Sequence, residues 1–445
     1  MSNRGDYLGR TESRAPRCEP DELDDQFDPL LDDFRPKQRS YPHFDKPLSE
    51  RSRETFAPTP DELAKHAFWP LIGFNKIERR VKSDDKGCAA FVEKPREIRF
   101  GSHRDAAILE WFGLSLAREY ERKLTAANLS ASVLAYRAGL GSNIDQAKSL
   151  FDEITARRCC VCLAFDVKGF FDNIQHAELL RNWKLVVGEK RLPEHAFRVF
   201  ERMTNFEWVD TDALTDALGR RGLVKGRLCS ASEFRDLVRG KGHIQRNPNT
   251  FGIPQGSPLS GLLANISMLD FDRVMHRYLE KRGGSYRRYS DDIAIVLPRD
   301  ANNALVERHL ISRLKKIGLT INLKKTERVI FDLDASPPTS DKFQYLGFVF
   351  DGQRVLIRNS SLNRYYKKMW NGIRAKVVAA RKKGVPLGSM FLRELFKRYT
   401  HFGRTRNFPR YAYRAADKFK SPDIRRQIAP HMARFKRMLA EATKP

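Results

Sequence analysis

No run of eighteen apolar residues occurs in this 445-residue chain, and its first ten residues, Met1 to Arg10, are polar in character. Neither a membrane span nor a secretory signal is expected, which points to the cytoplasm. Cysteine is scarce, at six residues, and paired CxxC motifs are missing, which argues against a zinc module or a disulfide framework. Cys159, Cys160 and Cys162 sit in the apolar run "CCVCLAF" and read as small buried strand residues in a reducing compartment. Acidic residues are scarce at one end only: from Val355 to Pro445 there are 24 Lys and Arg against 4 Asp and Glu. The first 60 residues run the other way, with 13 acidic against 10 basic. They lack a sustained hydrophobic period, which suits an extended arm, and its aromatic piece "YPHFD" is fitted to dock on the body.

What is present is a hydrophobic content of 41%, enough for a real core, and a formal net charge of +27. Such a charge calls for a polyanionic partner, nucleic acid or an acidic membrane surface, and its concentration in the last fifth assigns the grip to one part of the chain. Thr59, Pro60 and the acids of "TPDELAKHAF" predict a capped helix start. "AAFVEKPREIRFGS" reads as a hairpin turning near Lys94-Pro95. "RDAAILEWFGLSLAREYERKL" and "NIDQAKSLFDEI" have helical spacing, and the second leads into a Cys-rich strand ending at Asp166. Residues 181–250 read as mostly helical. "FGIPQGSPLSG" is a loop before the helix "LLANISMLDFDRVMHRYL". The helix "ALVERHLISRLKKIGL" ends at Gly318, followed by a strand "TINLKK" and a short hairpin "FQYLGFVF". Basic helices are expected after Ser360, and no internal repeat is visible.

The stretch "RRYSDDIAIVLP" sets Asp291 beside Asp292 in a segment whose Ile293, Ile295 and Leu297 alternate along one face. Neighbouring like charges on a half-buried hairpin repel. A third acid, Asp166, ends the apolar strand "CVCLAF" just before Gly169. Acids at the ends of neighbouring strands make an oxygen-rich pocket suited to two divalent cations. Two such metals, roughly 3.5–4 Å apart, activate a hydroxyl and stabilise a leaving oxygen in phosphoryl transfer. Adjacent aspartates also suit a turn in which each side chain caps a backbone amide.

Order along the chain narrows the choice. Apolar-Phe-Asp-x4-Phe, then "PQGSPLS", "YSDD", "GLTINLKKTE" and "YLGF" follow one another, an arrangement that resembles the palm of reverse transcriptases and, with the segment before it, extends from about Lys94 to Phe350. The resemblance implies an α+β right-hand polymerase: fingers at 61–155, an antiparallel palm sheet packed on helices at 156–354 with a helical insertion around 181–250, and a basic helical thumb at 355–445, preceded by the arm at 1–60. It implies Mg2+ as cofactor, two ions, with Mn2+ able to substitute. Asp166, Asp291 and Asp292 match the catalytic acids, and the Val167 carbonyl completes the metal shell. Gly169 and Phe170 match the amides that cradle a triphosphate. Phe171 falls at the steric gate against a 2′-hydroxyl; it also reads as a core aromatic. Gln255 and Gly256 match the loop beside the nascent base pair, where small residues let backbone approach the substrate. Lys325 matches a proton donor to pyrophosphate, with Lys324 as alternative under a one-residue slip. Arg96 matches a bidentate triphosphate clamp; Lys94 is its helper or a solvated turn lysine. Tyr345, Leu346, Gly347 and Phe348 match the primer grip.

At finer grain, "YPHFD", "VLAYRAGLGSNIDQAKSLFDEI", "GIPQGSPLSGLLANISMLDFD" and "KRYTHFGRTRNFPRYAYRAADK" resemble the bacterial unknown-group and abortive-infection class of defence-associated reverse transcriptases, possessing neither the Asn-Ala-x-x-His nor the Val-Thr-Gly signature of retron enzymes. That implies a chain that copies an associated structured noncoding RNA, using dNTPs, into DNA held as an RNA–DNA hybrid. Arg398, Arg404, Arg406 and Arg410, interleaved with aromatics, are the expected template–primer contacts. The alternatives are an untemplated or protein-primed polymerase, with Tyr411 and Tyr413 among the candidate primers, and an inactive RNA-binding protein.

Overall fold

The computed structural model describes residues 34–83, 89–219, 222–335, 341–386, 389–390, 392–402 and 407–444. Its centre is an antiparallel sheet in the order β6-β7-β3-β8, from Ser285–Tyr289 (β6), Asp292–Pro298 (β7), Cys159–Asp166 (β3) and Glu327–Asp332 (β8). Strand side chains alternate between faces, and here both faces are covered. Val161, Leu163 and Phe165 join Ile293, Ile295 and Leu297 in one core with Leu263, Met275 and Leu310 from the helices Ser260–Ser267, Leu269–Glu280 and Asn303–Lys316. Cys160, Cys162, Ala294 and Val296 face the other way, onto Leu150 of Asn143–Arg157 and Met369 of Asn359–Lys382. The three cysteines are therefore the small strand residues expected: Cys160 and Cys162 are buried, Cys159 half-buried at the strand start. Register pairs Asp166 with Asp292, so both acids emerge at one end of the sheet, on the second face.

The first two strands, Leu71–Ser83 (β1) and Ala89–Phe100 (β2), form one long antiparallel ladder. The hairpin turn expected at Lys94-Pro95 is corrected: both residues sit within β2, opposite Glu78 and Ile77. Pro95 is tolerated because β2 is the edge of a sheet ordered β2-β1-β4-β5, where its missing N–H breaks no ladder. The other two strands, Glu207–Asp210 (β4) and Gln245–Arg246 (β5), come from the segment read as mostly helical. The helices of that segment include Glu194–Thr204 and Thr211–Ala217.

The "YPHFD" piece does dock. Phe44 is buried with Ile72, Val209 and Phe234. The Asp45 carboxylate accepts from the amides of His103 and Arg104 at 3.0 and 2.9 Å, closing the start of the helix His103–Ala126. Two further corrections concern continuity. The helix expected over 262–279 is broken at Met268 into Ser260–Ser267 and Leu269–Glu280. The strand expected over 320–325 is a single bridge, Ile321 to Val167, and a 3-10 turn at Leu323–Lys325; β8 begins only at Glu327. "FQYLGFVF" forms Phe343–Tyr345 (β9) and Phe348–Phe350 (β10) as expected, joined by Val355–Ile357 (β11) in a three-stranded sheet. The basic C-terminal part is helical: Asn359–Lys382, Arg393–Tyr399, Phe408–Phe419, Pro422–Ile428 and His431–Thr443.

Candidate active site

Two strand ends and the turn between β6 and β7 make the floor of a cleft of about 760 Å³, lined by Asp166, Val167, Gly169, Phe170, Phe171 and Asp291 among others. Main-chain bonds fix the floor: the Val167 amide donates to the Asp291 carbonyl at 2.9 Å, the Lys168 amide to Thr320 at 2.8 Å, and the Asn322 amide to Asp166 at 2.8 Å. Ser290 turns the chain with φ +62°, a strained value for a residue with a Cβ. Asp166 and Asp291 face the cleft; Asp292, paired across the sheet from Asp166, is half-buried and not among the lining residues.

Crowding these acids has a measurable consequence. Burial, and then the charges of Asp291 and Asp166, push the Asp292 carboxyl up to about 7. Burial, helped by the Asp166 charge, also raises Asp291. The one cation among the lining residues bonded to an acid of this trio is Lys325, whose Nζ donates to Asp166 Oδ1 at 2.5 Å. Lys324 makes no such contact and is absent from the lining, so of the two lysines it is Lys325 that adjoins the acids.

Among the described residues no three His, Cys, Asp or Glu side chains converge as a ready-made metal cluster, and Lys325 holds one Asp166 oxygen. The donor set still suits a hard divalent cation: two carboxylates facing one cleft, a third adjoining, and charge repulsion that an ion would relieve. The residues present fit magnesium.

The walls come from distant segments. Gly169, at φ +56°, starts the short helix Phe170–Asn173, and Asn173 Nδ2 donates back to its carbonyl at 2.8 Å. Phe170 is buried and Phe171 half-buried; both line the cleft, and the Phe171 ring is 6.2 Å from that of Tyr136. Gln255 donates to Asp172 at 2.8 Å, and its carbonyl accepts from the Arg99 amide at 2.7 Å. Gly256 has φ +123°, and a Cβ there would lie 2.7 Å from the Arg99 carbonyl. Strand β2 thus makes a close approach that requires glycine at this position. Arg96 lines the cleft from β2. The Lys94 side chain lies outside the described residues.

Sequence reasoning missed several participants. The Tyr136 hydroxyl is 3.0 Å from Ser290 Oγ, and its own φ of +60° marks a constrained position. Arg99 lies over the Trp208 ring at 3.9 Å and within 5.0 Å of the Phe206 centroid, tying β2 to β4. Behind the Asp-Asp turn, Arg288 and Asp272 are fully buried and paired twice, Nε to Oδ1 at 2.8 Å and Nη2 to Oδ2 at 2.6 Å. Arg288 also donates to the Ser290 carbonyl at 3.1 Å and to Asn265 at 3.1 Å, and Tyr286 donates to Asp272 at 2.7 Å. The strained turn therefore rests on a closed buried network. The strand alternation Tyr286, Arg288, Ser290 was the signal available.

"YLGF" is a tight hairpin: Tyr345 and Phe348 pair across it, and Leu346 and Gly347 take φ of +46° and +93°. Asn143 donates to the Leu346 carbonyl at 3.0 Å and to the Tyr411 hydroxyl at 2.9 Å. Tyr411 stacks on Phe348 at 6.1 Å, so it braces this hairpin and is not among the cleft-lining residues. Tyr413 is likewise half-buried and absent from the lining. Arg398 and Arg410 are exposed on the C-terminal helices, Arg398 beside a second cavity of about 490 Å³ lined by Tyr365, Lys368 and Phe408. Arg404 and Arg406 lie outside the described residues.

Comparison with solved structures finds weak likenesses. A telomerase from Candida tropicalis, truncated of its C-terminal domain, shares 13% identity at a TM-score of 0.41, over 64% of this chain and 55% of its own. Candida albicans telomerase in complex with a fragment of telomeric RNA shares 13% at 0.41, over 86% and 63%. The RNA-dependent RNA polymerase of a human picobirnavirus shares 12% at 0.35, over 64% and 43%. The chain thus spans less than two thirds of the telomerases' length. No described helix is long and apolar enough to cross a membrane. The family model "Reverse transcriptase (RNA-dependent DNA polymerase)" matches residues 116–350, more than half of the chain, Asp166, Asp291 and Asp292 included: this chain belongs to the reverse transcriptase family.

Proposed function

We propose that the protein is an RNA-directed DNA polymerase of a bacterial antiviral defence system, copying an associated structured noncoding RNA into DNA. The observation that carries the polymerase reading is the joining of Asp166 and Asp291 on one cleft floor within the family-matched region. The defence assignment is supported by the sequence stretches around Tyr41–Asp45, Val133–Ile154 and Lys397–Lys418.

Asp166, Asp291, Asp292 and the Val167 carbonyl would hold two Mg2+, with Mn2+ able to substitute. Bound magnesium supplies Lewis-acid activation of a primer 3′-hydroxyl and neutralises phosphate charge. The chain's own residues do the rest. Arg96 projects from the β2 wall to clamp a triphosphate. Gly169 and Phe170 offer amides from the floor, and Phe171 crowds the sugar position so that deoxynucleotides are favoured. Lys325, held at Asp166, carries the proton that the leaving pyrophosphate takes up. Gln255, tied to Asp172, sets the loop beside the nascent pair. The Tyr345–Phe348 hairpin would hold the primer, and the basic helices the hybrid, by shape and phosphates.

Asp291→Ala tests the reading: nucleotide incorporation disappears while RNA binding persists. Polymerisation surviving in that variant would remove the site. Sequencing RNA that copurifies with the chain, together with DNA made from it, tests the template; homopolymeric or random DNA joined to protein would favour untemplated, protein-primed synthesis instead.

A further inference from the structure

The helices Leu269–Glu280 and Asn303–Lys316 cover the face of the central sheet opposite to Asp166 and Asp292. At their outer edge three side chains form one stack. The Tyr278 ring lies parallel to the His309 imidazole at 3.9 Å, with 5° between planes. The Arg282 guanidinium lies over the same ring at 3.7 Å. Two groups that close to one ring centre must occupy its two faces, so the order is Arg282, Tyr278, His309. Arg282 is exposed, which leaves its outer plane open.

The surroundings are cationic. Burial, and then the charges of Arg313, Arg282 and Lys316, hold the His309 imidazole below its ordinary value. None of these three cations forms an ion pair among the described residues, unlike Arg273 and Arg181, which bracket Asp270 on the same surface. Arg282 does close the end of its helix by donating to the Tyr278 carbonyl at 2.9 Å, and Arg313 and Lys316 suit a helix C-terminus. Capping does not account for a planar stack shared by two helices. An outward guanidinium plane flanked by unpaired cations is what an unpaired base and its phosphates recognise. None of these residues lines the catalytic cleft.

We infer that Arg282, Tyr278 and His309, with Arg313 and Lys316, form a second nucleic-acid site on the back of the sheet, taking a single-stranded segment by stacking one base on Arg282 and gripping its phosphates. It rests on the polymerase reading only in that nucleic acid is what this chain handles. The source is either an unpaired loop of the template RNA or the emerging DNA product.

The test uses the full chain with its cleft preoccupied by a short blunt RNA–DNA hybrid, and fluorescence anisotropy of labelled 15-nucleotide single strands, one RNA and one DNA, of mixed sequence. The doubly substituted Arg282→Glu, Lys316→Glu chain should bind about twentyfold more weakly. Arg282→Lys, which keeps the charge and removes the plane, should lose about fivefold. Loss with the RNA probe assigns the site to template, with the DNA probe to product. Both variants should extend a short primed template at the unaltered rate, which shows that they fold. Unchanged affinity for both probes, or failure of the unaltered chain to bind a second strand, overturns the site and would leave the patch to another kind of partner. An unaltered chain that binds but never polymerises would sink the polymerase reading instead.

Discussion

Replacing Arg288 by Met separates what the buried network does for stability from what it does for the Asp291-Asp292 turn. The substitution keeps much of the side-chain volume but leaves Asp272, fully buried, with Tyr286 as its remaining side-chain partner. Breaking one half of a buried ion pair costs about 3–5 kcal/mol, because the surviving charge stays desolvated. Exchanging both partners, Asp272→Leu with Arg288→Met, removes that charge and should restore most of the loss. It cannot restore the bond from Arg288 to the Ser290 carbonyl, which holds the φ +62° turn in front of Asp291. Urea unfolding and single-nucleotide primer extension, measured on both variants, should therefore diverge. The single variant loses stability and activity together. The double variant recovers stability while extension stays at least tenfold down, the loss expected if a turn bond worth about 1.4 kcal/mol in the transition state has gone. Full activity in the double variant would show that the turn stands without Arg288, and a single-variant cost under about 1 kcal/mol would show that the pair is not desolvated.

Asp292 carries a pH prediction. Its folded value, about 7, lies above the ordinary 3.8, so folding favours the protonated form. The associated stability is present below pH 4 and is lost as pH rises through 7, amounting to about 4 kcal/mol at most. In chelator, Asp292→Asn should match the parent chain at pH 4 and unfold at a higher urea midpoint at pH 8; equal midpoints at pH 8 would refute the shift. Gly256→Ala should strain the contact with Arg99, by about 1–3 kcal/mol, and slow extension about tenfold with little change in template affinity. A rate equal to the parent's would show that β2 can shift freely. Phe171→Val should admit ribonucleotides, narrowing deoxy-over-ribo selectivity in competition assays by about tenfold or more; unchanged selectivity would return Phe171 to a packing role.

The floor of the cleft was legible because its signals are local. Asp166 and Asp291 each stand at the end of an apolar run whose alternation fixes a strand, and glycine or serine beside them marks the turn. The walls were not, since their meaning depends on pairing across the chain. β4 and β5 are too short to carry a period, and β4 becomes a strand by lying parallel to β1, with Leu71 opposite Trp208, and antiparallel to β5. Pro95 looked like a turn because nothing local reveals that β2 is an edge strand. The alternation in "TINLKK" misled for a related reason: Leu323 is exposed, and the segment's amides and carbonyls serve the ends of β3 at Lys168 and Asp166 instead of forming a ladder.

Arg288 lies between these cases. In "SYRRY" the burial alternates, with Tyr286 and Arg288 inward and Arg287 and Tyr289 half-exposed. Period two alone, anchored on the buried Ile293 and Ile295 of the partner strand, already assigns Arg288 to the core face. A guanidinium there must find a carboxylate, since an unpaired buried charge would destabilise the fold by several kcal/mol. The acid has to come from the helix packed on that face. Within "LLANISMLDFDRVMHRYL" the acids are Asp270 and Asp272. Asp272 lies three residues before the buried Met275 and one after the buried Phe271, on the inward side, while Asp270 faces Arg181 and Arg273 outside. The pairing of Arg288 with Asp272, and with it the support of the turn before Asp291, follows from two periodicities and one electrostatic requirement.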